Sequence, residues 1–169
     1  MELIPVTEQE QLAGIQQVLE RAPEYALRVT GHPTGPADAQ SLYSALPEGV
    51  TYAQKYVWAI GDFGVADVIR GWPNPQSAML RLLLLAEDAT GRGLGRVAYE
   101  ALESKIRAWP EIAQIRLGVV DTNAQVTGFW ERMGFVATGE AKTYRYDKVQ
   151  SIVQILVKGL STGLSPAGD

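Results

Sequence analysis

The stretch from Leu82 to Arg96 constrains this chain more than any other: a run of leucines, then a turn with glycines at 91, 93 and 95. Leu82 to Leu85 have the apolarity of a buried strand, and a helical pattern opens near Leu94. The first turn of a helix leaves backbone N–H groups without intrahelical partners, and the helix dipole favours negative charge there. Gly91, Gly93 and Gly95 let the main chain approach a bulky anion closely, while Arg92 and Arg96 add positive charge. The element reads as a pyrophosphate cradle.

Spacing excludes two pyrophosphate motifs. The dinucleotide fingerprint asks for a third glycine three residues after the second, and Arg96 stands there. The Walker loop ends in Gly-Lys-Ser/Thr, whereas this loop ends in Gly-Leu-Gly-Arg. What remains resembles the coenzyme A loop of the GNAT acetyltransferase superfamily, Arg/Gln-x-x-Gly-x-Gly/Ala. Thr90-Gly91-Arg92-Gly93-Leu94-Gly95 matches both glycines and carries Thr90 where the family has Arg or Gln. A second segment, Asn123 to Phe135 (NAQVTGFWERMGF), resembles the family's downstream signature: an asparagine after the fifth strand, a short helix with paired aromatics, then Gly-Phe. One amphipathic helix and one strand separate the two motifs, and the resemblance covers residues from about 80 to 136.

The resemblance implies an α/β GNAT fold: a mixed central sheet of about six to seven strands, splayed at the cofactor site and flanked by helices. The pattern along the chain agrees. Leu3 to Val6 reads as a first strand; Thr7 and Glu10 form a capping box for a helix carrying Leu12, Ile15, Val18 and Leu19. From Arg21 the segment reads as loop, punctuated by Pro23, Gly31, Pro33, Gly35 and Pro36, before a short helix over Asp38 to Leu46. Strands are expected near Tyr52–Ile60 and Val65–Ile69, joined by a turn at Gly61-Asp62. The helix after the glycine loop carries an apolar stripe of Leu94, Val97, Ala98, Ala101, Leu102, Ile106 and Trp109. Ile115–Val120 reads as the fifth strand, Asn123–Met133 as the last helix with Gly134 as its C′ glycine, and Phe135 onward as two closing strands. One domain over 1–158 and a disordered tail over 159–169 are expected.

Composition narrows the chemistry. With 169 residues the chain suits one domain with a substantial core. It has no cysteine and one histidine, His32, set between Gly31 and Pro33 in a loop. That removes a disulfide framework, the usual Cys– or Ser–His nucleophile pairs and a zinc cluster, so no metal is expected. A net charge of −4 gives no electrostatic case for nucleic acid and is compatible with a cationic amine. No signal-peptide pattern and no apolar run near ~20 residues is legible, so a cytoplasmic protein without a membrane partner is expected. A homodimer stays open.

By resemblance, the activity is transfer of an acetyl group from acetyl-coenzyme A to an amine by direct attack in a ternary complex. The backbone of Leu83 and Leu85 pairs with the pantetheine arm. Thr90, Gly91, Arg92, Gly93, Leu94, Gly95 and Arg96 form the cofactor loop; Asn123, Phe129 and Trp130 complete the cofactor wall. Asn123 also reads as an N-cap, and Trp130 as core by helical spacing. Many members place a proton-donating tyrosine where Trp130 stands, and its indole N–H is far too weak an acid. Many also carry a glutamate base where this chain has Arg81. Asp67, mid-strand among Val65, Val68 and Ile69, is the candidate base, with an ion pair to Arg70 or Arg81 as the alternative. Asp121, Tyr25 and Glu24 are further candidates, and residues 21–50 are expected to cover the acceptor. A small-molecule amine is the expected acceptor, since no acidic groove for a basic peptide is legible. The rival reading is a non-catalytic acyl-coenzyme A sensor or structural module.

Overall fold

A computed structural model describes residues 1–160. Among them, twelve regular elements follow in chain order: β1 (Leu3–Pro5), α1 (Leu12–Glu20), α2 (Pro23–Thr30), α3 (Asp38–Ser44), β2 (Lys55–Ile60), β3 (Gly64–Arg70), β4 (Ser77–Leu85), α4 (Leu94–Arg107), β5 (Gln114–Val120), α5 (Thr127–Arg132), β6 (Val136–Tyr146) and β7 (Val149–Gly159). The strands form one seven-stranded sheet in the order β1-β2-β3-β4-β5-β7-β6. All neighbours are antiparallel except β4 and β5, which run parallel with α4 between them in sequence. The expected mixed sheet with flanking helices is therefore what this chain forms.

Strand alternation sends side chains to two opposite cores. Trp58, Ile60, Ala66 and Val68 pack with Ala98, Tyr99, Leu102 and Ile106 of α4. Val57, Val65 and Leu84 pack on the other face with Leu12, Ile15, Val18 and Leu19 of α1 and Ala39 of α3. Val97, expected in the α4 stripe, is 44% exposed, and Tyr99, one position past Ala98, takes the buried place.

Several expectations need correction. The capping box is Glu8 with Gln11, one residue later than expected, because Gln11 Oε1 accepts from the N–H groups of both Thr7 and Glu8. That closes a 3₁₀ turn over Gln9–Gln11, and the regular helix starts at Leu12. Residues 21–30 are largely helix rather than loop. Pro23 sits in the first turn of α2 and Gly31, at φ 83°, ends it, so the two residues that suggested loop mark the ends of one short helix. α3 stops at Ser44, short of Leu46. The last helix is divided: a 3₁₀ segment over Asp121–Val126 precedes α5. Its end is as expected, a Schellman motif in which Phe135 N–H reaches Trp130 C=O (3.0 Å) and Gly134 N–H reaches Glu131 C=O (3.0 Å). Gly159 belongs to β7 and Leu160 is buried, so the expected tail does not begin at 159; residues 161–169 lie outside the described residues.

Candidate functional site

β4 and β5 pair only from Ser77–Leu80 against Gln114–Leu117. Beyond Leu80, β4 keeps β3 as a neighbour through Leu85 but has lost β5, so its backbone groups on that side face open space. The divergence starts at a bulge: Asp67 lies opposite Leu82 and Val68 opposite Leu80, leaving Arg81 without a partner. A cavity of about 360 Å³ occupies the split, lined by Leu80 to Leu85 on one side and Leu117 to Val119 on the other.

The glycine loop lies at one end of that split. A 3₁₀ turn over Glu87–Ala89 leads into Gly91 and Gly93, at φ 75° and 74°, where the left-handed backbone strongly favours glycine. Nothing lies within 4 Å of where a Cβ would stand at either position, so the space beside their amides is open. α4 then begins at Leu94 with no side chain capping its N-terminus and no acidic residue in its first turn. Arg96 stands in that turn, opposed to the helix dipole, and makes only an exposed pair with Glu100 at 3.0 Å. Arg92 is exposed and has no ion-pair partner among the described residues. Uncapped N–H groups with two guanidinium groups make a donor set whose chemistry fits a diphosphate.

The far wall comes from the segment after β5. Asn123, Val126, Phe129 and Trp130 line the cavity, and a Cβ at Gly95 would meet the Phe129 ring at 3.4 Å. Trp130 is 8% exposed, edge-on to Tyr99, Phe129 and Phe135 at centroid distances of 5.7, 4.9 and 5.5 Å, so it is both core and cavity wall. Asn123, buried with φ −118° and ψ 27°, is not an N-cap: its Oδ1 accepts from Arg28 Nε at 2.8 Å.

α2 roofs the split with Glu24, Tyr25 and Arg28. Glu87 Oε1 accepts the Glu24 N–H at 2.8 Å, tying the start of α2 to the approach to the glycine loop. Arg21 strengthens the tie through both oxygens of Asp88, at 2.7 and 2.8 Å. At the other end of α2, Tyr144 O–H donates to Val29 C=O at 2.7 Å and His32 meets Asp147 in the β6–β7 turn. Burial, with Tyr144 close by, pushes the Tyr25 hydroxyl pKa up to about 12, against the opposing effect of Arg28. Arg28 was not among the sequence candidates; recognising Pro23 and Gly31 as helix ends would have put it on the same face as Glu24.

The expected cofactor residues divide into two groups. Leu83, Leu85, Thr90, Gly95, Asn123, Phe129 and Trp130 line the cavity, and Gly91, Arg92, Gly93, Leu94 and Arg96 form the adjoining loop and helix start. Asp67 does not line it. Its Oδ2 accepts from the buried Lys55 Nζ at 3.2 Å, and its buried Oδ1 has no partner among the described residues. The expected partners were Arg70 or Arg81; Arg70 falls on the opposite face by strand alternation and pairs with Glu111, while Arg81 reaches Ala45 C=O at 3.3 Å. Burial raises the Asp67 pKa against the pull of Lys55 and Arg81. Asp121 is outside the lining and its Oδ1 accepts from Gln154 at 3.4 Å. Among the described residues no group of three or more His, Cys, Asp or Glu could hold a metal, and no helix is long and apolar enough to cross a membrane.

A family model described as acetyltransferase (GNAT) family matches residues 19–135. Comparison with curated proteins gives no match. Among solved structures, an acetyltransferase from Thermus thermophilus is 26% identical, with a TM-score of 0.67 over 94% of this chain and 96% of that one. A spermidine N-acetyltransferase from Vibrio cholerae, in complex with CoA and spermine, is 16% identical at a TM-score of 0.70 over 94% of each chain. The ribosomal-protein-S18-alanine N-acetyltransferase of Escherichia coli is 17% identical at 0.67 over 99% of each. The last two likenesses are of fold.

Proposed function

The chain belongs to the acetyltransferase (GNAT) family, and on that premise we propose that it is an N-acetyltransferase moving the acetyl group of acetyl-coenzyme A onto the amine of a small molecule. The observation that carries this reading is the continuity of the split between β4 and β5 with the uncapped, glycine-edged start of α4. Such a channel suits a long, bent donor with a diphosphate at one end and a reactive thioester at the other. The backbone from Arg81 to Leu85 pairs with the pantetheine arm as an added strand, through Leu83 and Leu85. The amides from Gly91 to Arg96 take the diphosphate, with Arg92 and Arg96 supplying charge. Phe129 and Trp130 exclude water from the wall opposite, and Arg28 holds Asn123 in place at the end of β5.

A roof tied down at both ends of α2, over about 360 Å³, favours a slender acceptor such as a polyamine or amino acid. Proton removal from the ammonium form of that acceptor falls to water at the cavity mouth, with Glu24 the exposed carboxylate that α2 contributes to the lining. Asp67 and Lys55 brace β3 against β2 behind the bulge. The test is thiol release from acetyl-coenzyme A against a panel of polyamines, amino acids and a peptide with an N-terminal alanine. Acetylated amine forming in step with free thiol is expected. Tight coenzyme binding with no thiol release for any amine would favour the acyl-coenzyme A sensor instead.

A further inference from the structure

Two guanidinium groups line the cavity, Arg28 from α2 and Arg81 from β4. Arg28 is committed: its Nε donates to Asn123 Oδ1 at 2.8 Å, and its Nη1 faces Glu24 at 3.5 Å. Arg81 has no carboxylate partner among the described residues. Its Nη1 reaches the Ala45 C=O at 3.3 Å, a carbonyl shared with Lys55 Nζ at 2.8 Å. Asp67, across from the bulge, is buried and taken by Lys55 at 3.2 Å. That pair is neutral as a unit and leaves the Arg81 charge unbalanced. Glu87, the remaining lining carboxylate, lies by the glycine loop on the Glu24 N–H. Arg116 of β5 is in a different state, because Glu140 pairs with it at 2.7 Å.

Position gives this free charge a use. The bulge sets Val68 opposite Leu80 and Asp67 opposite Leu82, so Arg81 has no strand partner and its exposed side chain is re-aimed. Arg81 follows directly on Leu80, the last β4 residue paired with β5, and so stands where the two strands part. The glycine loop is at the other end of the split, beyond Leu85, and about 13 Å of extended strand separates Leu85 from Arg81. With the diphosphate at the loop and the pantetheine arm along Leu85 and Leu83, the thioester comes to rest beside Arg81. The group that meets Arg81 is then the acceptor. A guanidinium without a counter-ion repels a polyamine there and attracts a carboxylate, which it can hold through two parallel N–H···O bonds. We propose that Arg81 anchors the carboxylate of the acceptor and that the acceptor class is a free amino acid, a reading that rests on the acetyl transfer proposed above.

The test compares kcat/KM for each of the common L-amino acids with that for its own α-amide, with putrescine and spermidine alongside. The parent should favour the carboxylate form of its best substrate over the amide, and over both polyamines. An α-amide and its amino acid differ in basicity, so the change in their ratio between parent and variant is the informative quantity. In Arg81→Gln the preference for carboxylate should drop by roughly 10–10²-fold, the range for a hydrogen bond to a charged group. A variant that folds less well loses both substrates alike, so the ratio reads the contact and not the stability. Arg81→Glu should turn the preference round, towards the amide and spermidine. The parent's ratio persisting in Arg81→Gln would overturn the assignment while leaving acetyl transfer intact. So would a parent that acetylates amides or spermidine better than amino acids. Release of no thiol with any amine would overturn acetyl transfer itself, and this inference with it.

Discussion

Arg28 Nε donates to Asn123 Oδ1 at 2.8 Å, joining residues 95 positions apart across the mouth of the β4–β5 split. Asn123 is buried, so without Arg28 its Oδ1 is left an unsatisfied acceptor, whereas Arg28 is partly exposed and keeps Glu24 at 3.5 Å. Arg28→Ala should lower stability by about 1–3 kcal/mol, the cost of leaving a buried polar group unsatisfied, and Asn123→Ala by less. The double substitution should be little worse than the more damaging single one, measured by urea unfolding. Strict additivity would show that the two residues stabilise the fold separately.

Gly93 has φ 74° and open space beside it. Gly93→Asp strains the loop and sets a carboxylate against any diphosphate bound there. In the parent, acetyl-coenzyme A at ~100 times its dissociation constant should raise stability by about 2.7 kcal/mol. The variant should show no such rise in a thermal melt. A full shift in the variant, or an equal shift in the parent with NAD, would place the coenzyme elsewhere.

Burial raises the Asp67 pKa, so the folded protein binds that proton more tightly than the unfolded chain does. Stability then falls as pH climbs from the ordinary carboxyl value of 3.8 through the raised one, because the folded state carries more of that proton than the unfolded state across the window. Asp67→Asn should flatten this part of the stability profile and lower the melting temperature near pH 7 by stranding Lys55. Turnover per folded molecule should stay near that of the parent. A loss of roughly 10²–10⁴-fold in kcat, with the acidic limb of the rate profile gone, would instead make Asp67 the general base.

His32 meets Asp147 across the gap between the end of α2 and the β6–β7 turn. Its pKa is raised by the Pro33 carbonyl first and by Asp147 second. A raised folded pKa means that the contribution is complete below the unfolded value of about 6.5 and fades as pH rises through the folded value. Protection of the amides at the β6–β7 turn, taken relative to their intrinsic exchange at each pH, should therefore fall above neutrality in the parent. In Asp147→Asn that protection should be low on both sides of neutrality.

How much of this was legible depended on range. Gly91, Gly93 and the apolar strand before them are local signals, and the loop they define starts α4 at Leu94 as expected. The Gly134–Phe135 ending of α5 was legible for the same reason. α2 was not, because Pro23 and Gly31 suit a loop and a short helix equally well until the surrounding packing decides. The partner of Asp67 depends on which face of β3 it occupies and on the register with β2, where Val57 lies opposite. Asn123 looked like a cap because caps are sequence-local; its actual partner comes from a helix whose existence was not foreseen.

The junction of β4 with β5 spans Ser77–Leu80 on one strand and Gln114–Leu117 on the other, and among the described residues it is the one strand pairing that joins the two halves of the sheet. Mechanically the sheet is an open book with a short spine. On the proposed function, a pantetheine arm lying along Leu83 and Leu85 would lengthen that spine, making a small molecule part of the tertiary scaffold. The halves on either side should then melt more nearly as one unit when the coenzyme is bound than when it is absent. Loading state would then be written into how cooperatively the protein comes apart, with no hinge or lid required.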